Sequence, residues 1–195
     1  MKAMLAGLAL LLSAAHVHAA GAGGKWYIGA GGGQTNYRDV CAAASSSGLA
    51  GTCDDESNGW KIYAGYDMTK YFGIELAYAD AGEAKLVASS PSAGTLTINS
   101  KLATAWAKLE LPLGAHFSLL GKAGLNYFKA DYERSGSFAA MNSGDDGLEP
   151  SLGAGASFNF TKNLALRAEW ERFNDAAGYG DGNIELLSAS VLFRF

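Results

Sequence analysis

Histidine is scarce in this chain, and its three copies are poorly placed for catalysis. His16 and His18 fall in the N-terminal stretch, and only His116 lies in the body of the sequence. Hydrolases and acyl-transferases that pair an imidazole with a hydroxyl or carboxylate need that base beside the nucleophile. An enzyme of this kind is therefore not expected, and no catalytic residue is assigned. The two cysteines, Cys41 and Cys53, form no CxxC pair, and two thiolates alone cannot complete a zinc site. No metal site and no cofactor are expected. Basic runs are absent as well: 15 Lys and Arg stand against 19 Asp and Glu, for a net charge of −4. That balance removes any reason to invoke nucleic acid as a partner.

What is present begins with an export signal. Lys2 supplies a positive start, and Met4 to Ala15 is apolar but too short to span a bilayer as a helix. Val17-His18-Ala19 fits a small-residue cleavage site, so residues 1–19 read as a signal peptide and 20–195 as one domain. In an exported chain an even cysteine count favours a disulfide between Cys41 and Cys53. Closing a loop of that size stabilises by about 3 kcal/mol in the chain-entropy picture.

The remainder alternates. At the C-terminus Leu187, Ala189, Val191, Phe193 and Phe195 are apolar, with Ser188, Ser190, Leu192 and Arg194 between them. A period of two marks a strand with one apolar face. Eight such segments are expected, at about 25–37, 59–68, 72–86, 97–111, 117–133, 150–160, 164–174 and 183–195. Short turns at 69–71, 112–116 and 161–163 alternate with longer polar loops at about 38–58, 87–96, 134–149 and 175–182. Up-and-down membrane barrels have this asymmetry of short periplasmic turns and long external loops.

Sorting each segment by parity separates two faces. One carries Trp26, Ile28, Trp60, Ile62, Ile74, Leu76, Leu109, Leu111, Leu164, Leu166 and Trp170. The other carries Lys61, Glu75, Lys108, Glu110, Lys122, Arg167, Glu169, Glu171 and Arg194 among Gly and Ser. A soluble lipocalin-like barrel would turn the oily face inward. The terminal Phe, the turn asymmetry and the small residues of the polar face favour the reverse, with lipid outside and charges in a narrow lumen. In lipid every backbone group must be paired, so the eight strands must close. The expected fold is all-β: an eight-stranded antiparallel up-and-down transmembrane β-barrel.

Residues 26–195 resemble the OmpA-like outer-membrane barrel family. Trp26-Tyr27-Ile28-Gly29, Gly65-Tyr66, Tyr71-Phe72-Gly73-Ile74-Glu75-Leu76, Leu164-Ala165-Leu166-Arg167-Ala168-Glu169-Trp170 and the closing Phe193-Arg194-Phe195 carry the resemblance in order. It implies a bacterial outer-membrane barrel that supports envelope integrity and passes small solutes weakly at most. It also implies insertion by the barrel-assembly machinery, for which Phe193 and Phe195 form the C-terminal signature. Glu75, Lys108 and Arg167 match positions of lumen charges in the family. The peptidoglycan-binding domain of larger members has no counterpart here, so tethering to the cell wall is not expected.

The lumen charges are expected to pair into a plug, because eight strands leave an interior that side chains fill. A sharper alternative is a gate, in which Glu75, Lys108 and Arg167 exchange partners. The acidic groups Asp54-Asp55-Glu56 and Asp145-Asp146 read as solvated loop charge rather than calcium ligands. Lys101, Lys129 and Arg172 lie just beyond the apolar band and are expected to meet lipopolysaccharide phosphates. The expected assembly is a monomer. Recognition through the loops, as an adhesin or surface binding module, is the alternative function.

Overall fold

Side-chain alternation in this chain is long enough, and its apolar face continuous enough, to make strands the dominant element. The computed structural model describes residues 25–195 apart from 39, 47, 49, 91–92, 138–143 and 178–181. The expected signal peptide lies outside the described residues. In chain order the elements are β1 (Lys25–Tyr37), α1 (Val40–Ser46), β2 (Ala50–Asp54), β3 (Glu56–Asp67) and β4 (Phe72–Ser90). They continue with β5 (Gly94–Leu113), β6 (Phe117–Gly136), β7 (Gly144–Asn159), β8 (Leu164–Phe173) and β9 (Ile184–Arg194).

The strands run in the order β4-β3-β1-β9-β8-β7-β6-β5, and β4 pairs with β5 to close the ring. Every pairing is antiparallel. Eight strands thus form the closed barrel, and β2 is an additional strand that pairs with β4 alone. Antiparallel register conserves parity across each pair: Trp26 faces Tyr66 and Leu109 faces Gly121, while Tyr27 faces Gly65. The apolar parity points outward. Leu76, Leu109 and Leu187 are 68%, 63% and 61% exposed, an oily exterior far larger than a soluble protein tolerates.

Strand lengths are unequal. A membrane-crossing strand needs roughly 9–11 residues, which β8 and β9 just meet with 10 and 11. The β4, β5 and β6 strands have 19 or 20 residues and rise well past the rest, opposite the short turns. Segments read from sequence as loops at 87–96 and 134–149 are therefore partly strand. Their alternation continues, with Leu96 and Ile98 inward and Thr95 and Thr97 less buried, and their outer side chains are mixed, with Val87 and Leu148 exposed among polar neighbours. The expected first loop, 38–58, is likewise built, holding α1 and β2.

A bulge re-aims this tall wall. The β4–β5 register shifts between Asp80 and Glu83, where Gly82 adopts φ 71°. A side chain at that φ would be strained. Asp80 accepts the Gly82 N–H at 3.0 Å, and Tyr37 donates its hydroxyl to the Gly82 carbonyl at 2.6 Å. Beyond the bulge β2 replaces β3 as the partner of β4.

The interior has two halves. Toward the tall end it is apolar, with Leu86, Leu96, Ile98, Leu102, Trp106, Phe128, Phe173 and Leu186 buried together. This corrects the expectation of a lumen lined throughout by charges and small residues. Parity located the inward positions, but above Trp106 they carry large apolar side chains. Toward the short-turn end the interior is charged.

Candidate functional site

Three cations and three carboxylates from four strands meet near the middle of the barrel. Lys61 on β3 lies 2.5 Å from Glu169 and 2.6 Å from Glu171, both on β8. Lys122 on β6 reaches Glu75 at 3.1 Å, Glu169 at 2.7 Å and Glu171 at 2.6 Å. Arg167 on β8 closes the set, 2.7 Å from Glu75 on β4 and 3.6 Å from Glu169. All six are almost wholly buried. Each charge lies opposite at least one of the other sign, which offsets the desolvation that an isolated buried ion suffers. The side chains reach one another because Lys61, Glu75, Lys122, Arg167, Glu169 and Glu171 all occupy inward parity positions.

A second tier lies nearer the short turns. Lys108 on β5 sits 2.6 Å from Asp67 and 3.0 Å from Glu110. Arg194 donates to Asn159 at 2.5 Å and stands 3.6 Å from Glu110 and 3.9 Å from Asp67. Ser118 donates to Glu110 at 2.7 Å. Two cations again face two carboxylates. Lys108 thus belongs to this tier and makes no ion pair with Glu75. Of the expected exchange trio, Glu75 and Arg167 are together, and the lysine beside them is Lys122 instead of Lys108. Lys108 lies on a neighbouring strand at the right parity, but its height in the barrel puts Asp67 within closer reach.

Tyr27 links the tiers. Its hydroxyl donates to Glu75 at 2.9 Å, and its ring lies 4.5 Å from Lys108 Nζ and 5.3 Å from the Arg167 guanidinium. Tyr63 takes Arg167 at 4.9 Å and shares a 2.8 Å hydrogen bond with Ser190. Both rings lie across glycines on the paired strand: Tyr27 is opposite Gly65, and Tyr63 is opposite Gly29. A Cβ at either glycine would run into the facing ring. This is a reciprocal aromatic cover of strand glycines. Asp67, Tyr27 and Tyr63 were not among the sequence-read site residues. Inward parity places all three on the same face as Lys61, and that was the available signal.

The charged middle abuts the apolar half through Lys122, whose Nζ lies 4.8 Å from the Trp106 ring centroid. Trp106 in turn packs on Phe173 at 6.0 Å. Above them the tall strands, α1 and the segment at 176–177 enclose one continuous core containing Tyr37, Ala44, Tyr132, Ala176 and Ala177. The Cys41–Cys53 disulfide ties α1 to β2. Tyr132 donates to the Ala177 carbonyl at 3.2 Å, and Arg38 pairs with Glu185 at 2.9 Å. The described residues of the tall end form a folded cap.

The remaining sequence-read residues are spread over the outside. Lys101 and Lys129 are cross-strand neighbours on β5 and β6, both outward and exposed. They lie one step beyond Tyr78 and Tyr127. Arg172 is apart from them on β8, 4.0 Å from Glu185. Asp54 accepts the Glu56 amide, and Asp146 accepts the Tyr127 hydroxyl at 3.0 Å. Among the described residues no group of metal-ligating side chains converges. His116 lies at the short-turn end, its ring stacked on Phe158 and 3.0 Å from the Asn159 carbonyl. Phe193 and Phe195 pack edge to face at 5.2 Å beside the same turns.

Known proteins agree with this geometry. Outer membrane protein A of Yersinia pseudotuberculosis is 26% identical over 177 residues, covering 87% of this chain and 48% of the relative. The Serratia marcescens protein of the same name is 26% identical over 181 residues. The chain spans about half the length of these curated relatives. Among solved structures, Ail of Yersinia pestis superposes with a TM-score of 0.57 at 17% identity, over 89% of this chain and 99% of Ail. OprG of Pseudomonas aeruginosa gives 0.57 at 13% identity, over 88% of this chain and 96% of OprG. These relatives and neighbours are outer-membrane barrels. Matched over residues 5–195 by the family described as outer membrane protein beta-barrel domain, the chain belongs to that family and is an OmpA-like barrel of the bacterial outer membrane.

Proposed function

We propose that this protein is a structural barrel that supports envelope integrity and whose interior is a plug, with at most weak passage of small solutes. The observation that carries this reading is the filling of the interior by two different materials in series. The charged tiers are each balanced in formal charge, so neither leaves an unpaired ion to attract a permeating one. The apolar section around Leu102, Trp106, Phe128 and Phe173 would have to admit a dehydrated ion. Partner exchange among Glu75, Lys122 and Arg167 is the route by which the charged part alone would open. Planar-bilayer recording of the refolded, disulfide-intact protein tests this, beside Arg167→Ala. Both are expected to remain silent while heat-modifiable migration reports a folded barrel. Discrete openings that change in the variant would replace the plug with a gate.

Lipopolysaccharide is the expected external lipid partner. Lys101 and Lys129 face the same way on paired strands, and like charges directly opposite repel; Asp131, 3.4 Å from Lys129, offsets part of that repulsion and a phosphate between the lysines would offset the rest. Their position just past the tyrosines suits a phosphate at the membrane surface.

Recognition by the cap is the second reading, and the built first loop favours it. A preorganised surface loses less entropy on binding than a loose loop. Ail was also solved in complex with the heparin analogue sucrose octasulfate. Here Asp54, Asp55, Glu56 and Glu83 border α1 and β2, so charge favours a basic partner over such a polyanion. Binding of the intact cap to cationic and anionic arrays separates these alternatives.

A further inference from the structure

Gly121 occupies an outward position on β6, opposite Leu109 on β5 and Ala154 on β7. Glycine weakens a strand and marks a bulge, a tight barrel bend or close approach by another backbone or a ligand; the register runs through Gly121 without a bulge on either side. No protein atom supplies the close approach here. A Cβ added at Gly121 meets nothing within 4 Å, whereas one at Gly29 or Gly65 runs into a tyrosine ring. The position opens instead into a lipid-facing groove of about 310 Å³ between Tyr71, Leu109, Leu111 and Leu119.

Positive charge reaches this groove through Tyr71: Lys70, which lines the cavity at the short-turn mouth, stands over the ring that forms one groove wall. Tyr71 is held against β5 because the Glu110 amide donates to its carbonyl at 2.7 Å. The exposed Lys70 ammonium lies 4.5 Å from the Tyr71 ring centroid, at the short-turn rim. Glu110 lines the groove wall, but its carboxylate is engaged inward by Lys108 and Ser118. Asp67 is likewise drawn inward by Lys108. An anion at Lys70 therefore meets a cation whose neighbouring carboxylates are already paired.

We infer that this groove binds one glycerophospholipid of the periplasmic leaflet, with an acyl chain over Gly121 and its phosphate at Lys70. The apolar channel and the basic rim match the two parts of that molecule in the order the membrane presents them. Gly121 serves the site by having no side chain, and Tyr71 positions the lysine.

Native mass spectrometry of the full folded chain, released from nanodiscs of phosphatidylglycerol, tests the site. The wild type is expected to retain one lipid. Lys70→Gln is expected to lower the retained fraction about fivefold, the factor one lysine contributes near a lipid phosphate. Gly121→Leu, which fills the channel, is expected to abolish retention. In nanodiscs of a diacylglycerol-containing neutral mixture, retention of diacylglycerol should respond to Gly121→Leu and not to Lys70→Gln. Heat-modifiable migration checks folding, and Lys70→Gln leaves the strands untouched. Equal retention by all three proteins overturns the proposal. So does a dimer mass that disappears in Gly121→Leu, which would make the occupant a second copy of the chain.

Discussion

Arg167 Nη1 meets Glu75 Oε2 at 2.7 Å across the barrel interior, from β8 to β4 and 92 residues apart in sequence. The two strands are not neighbours in the sheet. The pair therefore spans the lumen and ties opposite walls together.

Removing one partner should be costly. In Arg167→Met, Glu75 keeps only Lys122 and the Tyr27 hydroxyl, and breaking a buried pair typically costs about 3–5 kcal/mol. Glu75→Gln combined with Arg167→Met should recover much of that loss. Urea unfolding in phospholipid vesicles measures both, and additive losses in the double variant would contradict the pairing.

The glycine–tyrosine pairs make a separate prediction. Gly29→Val drives a side chain into the Tyr63 ring and should destabilise by about 1–3 kcal/mol through overpacking. In a Tyr63→Ala background the same substitution should cost much less. A double-mutant cycle detects this coupling; equal costs in both backgrounds would remove the steric account.

Conductance should require opening both sections. Trp106→Ala removes the ring that packs Lys122 and Phe173, at about 3–5 kcal/mol for a buried aromatic. Leu102→Ala with Trp106→Ala should admit water into the apolar section, and adding Arg167→Ala should produce measurable current in planar bilayers. Arg167→Ala alone should not.

Cap and barrel should separate under reduction. The Cys41–Cys53 bond joins α1 to β2 beyond the membrane band, so its loop-closure contribution, about 3 kcal/mol, acts locally. Cys41→Ser with Cys53→Ser should speed tryptic cleavage after Arg38 while heat-modifiable migration stays unchanged. Loss of that migration would instead make the disulfide a requirement of barrel folding.

Lipopolysaccharide affinity should fall when Lys101→Gln and Lys129→Gln are combined, by about 1 kcal/mol per lysine at a lipid surface. Of the three cations Lys101→Gln should have the largest effect, because Lys129 already lies 3.4 Å from Asp131 and Arg172 4.0 Å from Glu185. Titration into lipopolysaccharide micelles reads the difference, and an unchanged affinity would end the assignment.

A period of two in the sequence marks the eight barrel strands, the lipid-facing band and the inward face of Lys61, Glu75, Lys108, Lys122, Arg167, Glu169 and Glu171, but not the lumen role of Asp67 or the strand character of β2 and the tall ends. Parity survives antiparallel pairing, so a residue's face is a local property. The partners of those charges are not local. Whether Glu75 meets Lys108 or Lys122 depends on the height at which each strand crosses the barrel, and that follows from closure between β4 and β5. The apolar upper interior is not a local property for a related reason. Leu96, Ile98, Leu102 and Phe128 alternate correctly, but only the tall wall, folded over by α1 and the 176–177 segment, makes them one core. Sequence alone determined which way each side chain points; the tertiary structure decided which side chains meet, because contact across a closed barrel is set by register and shear.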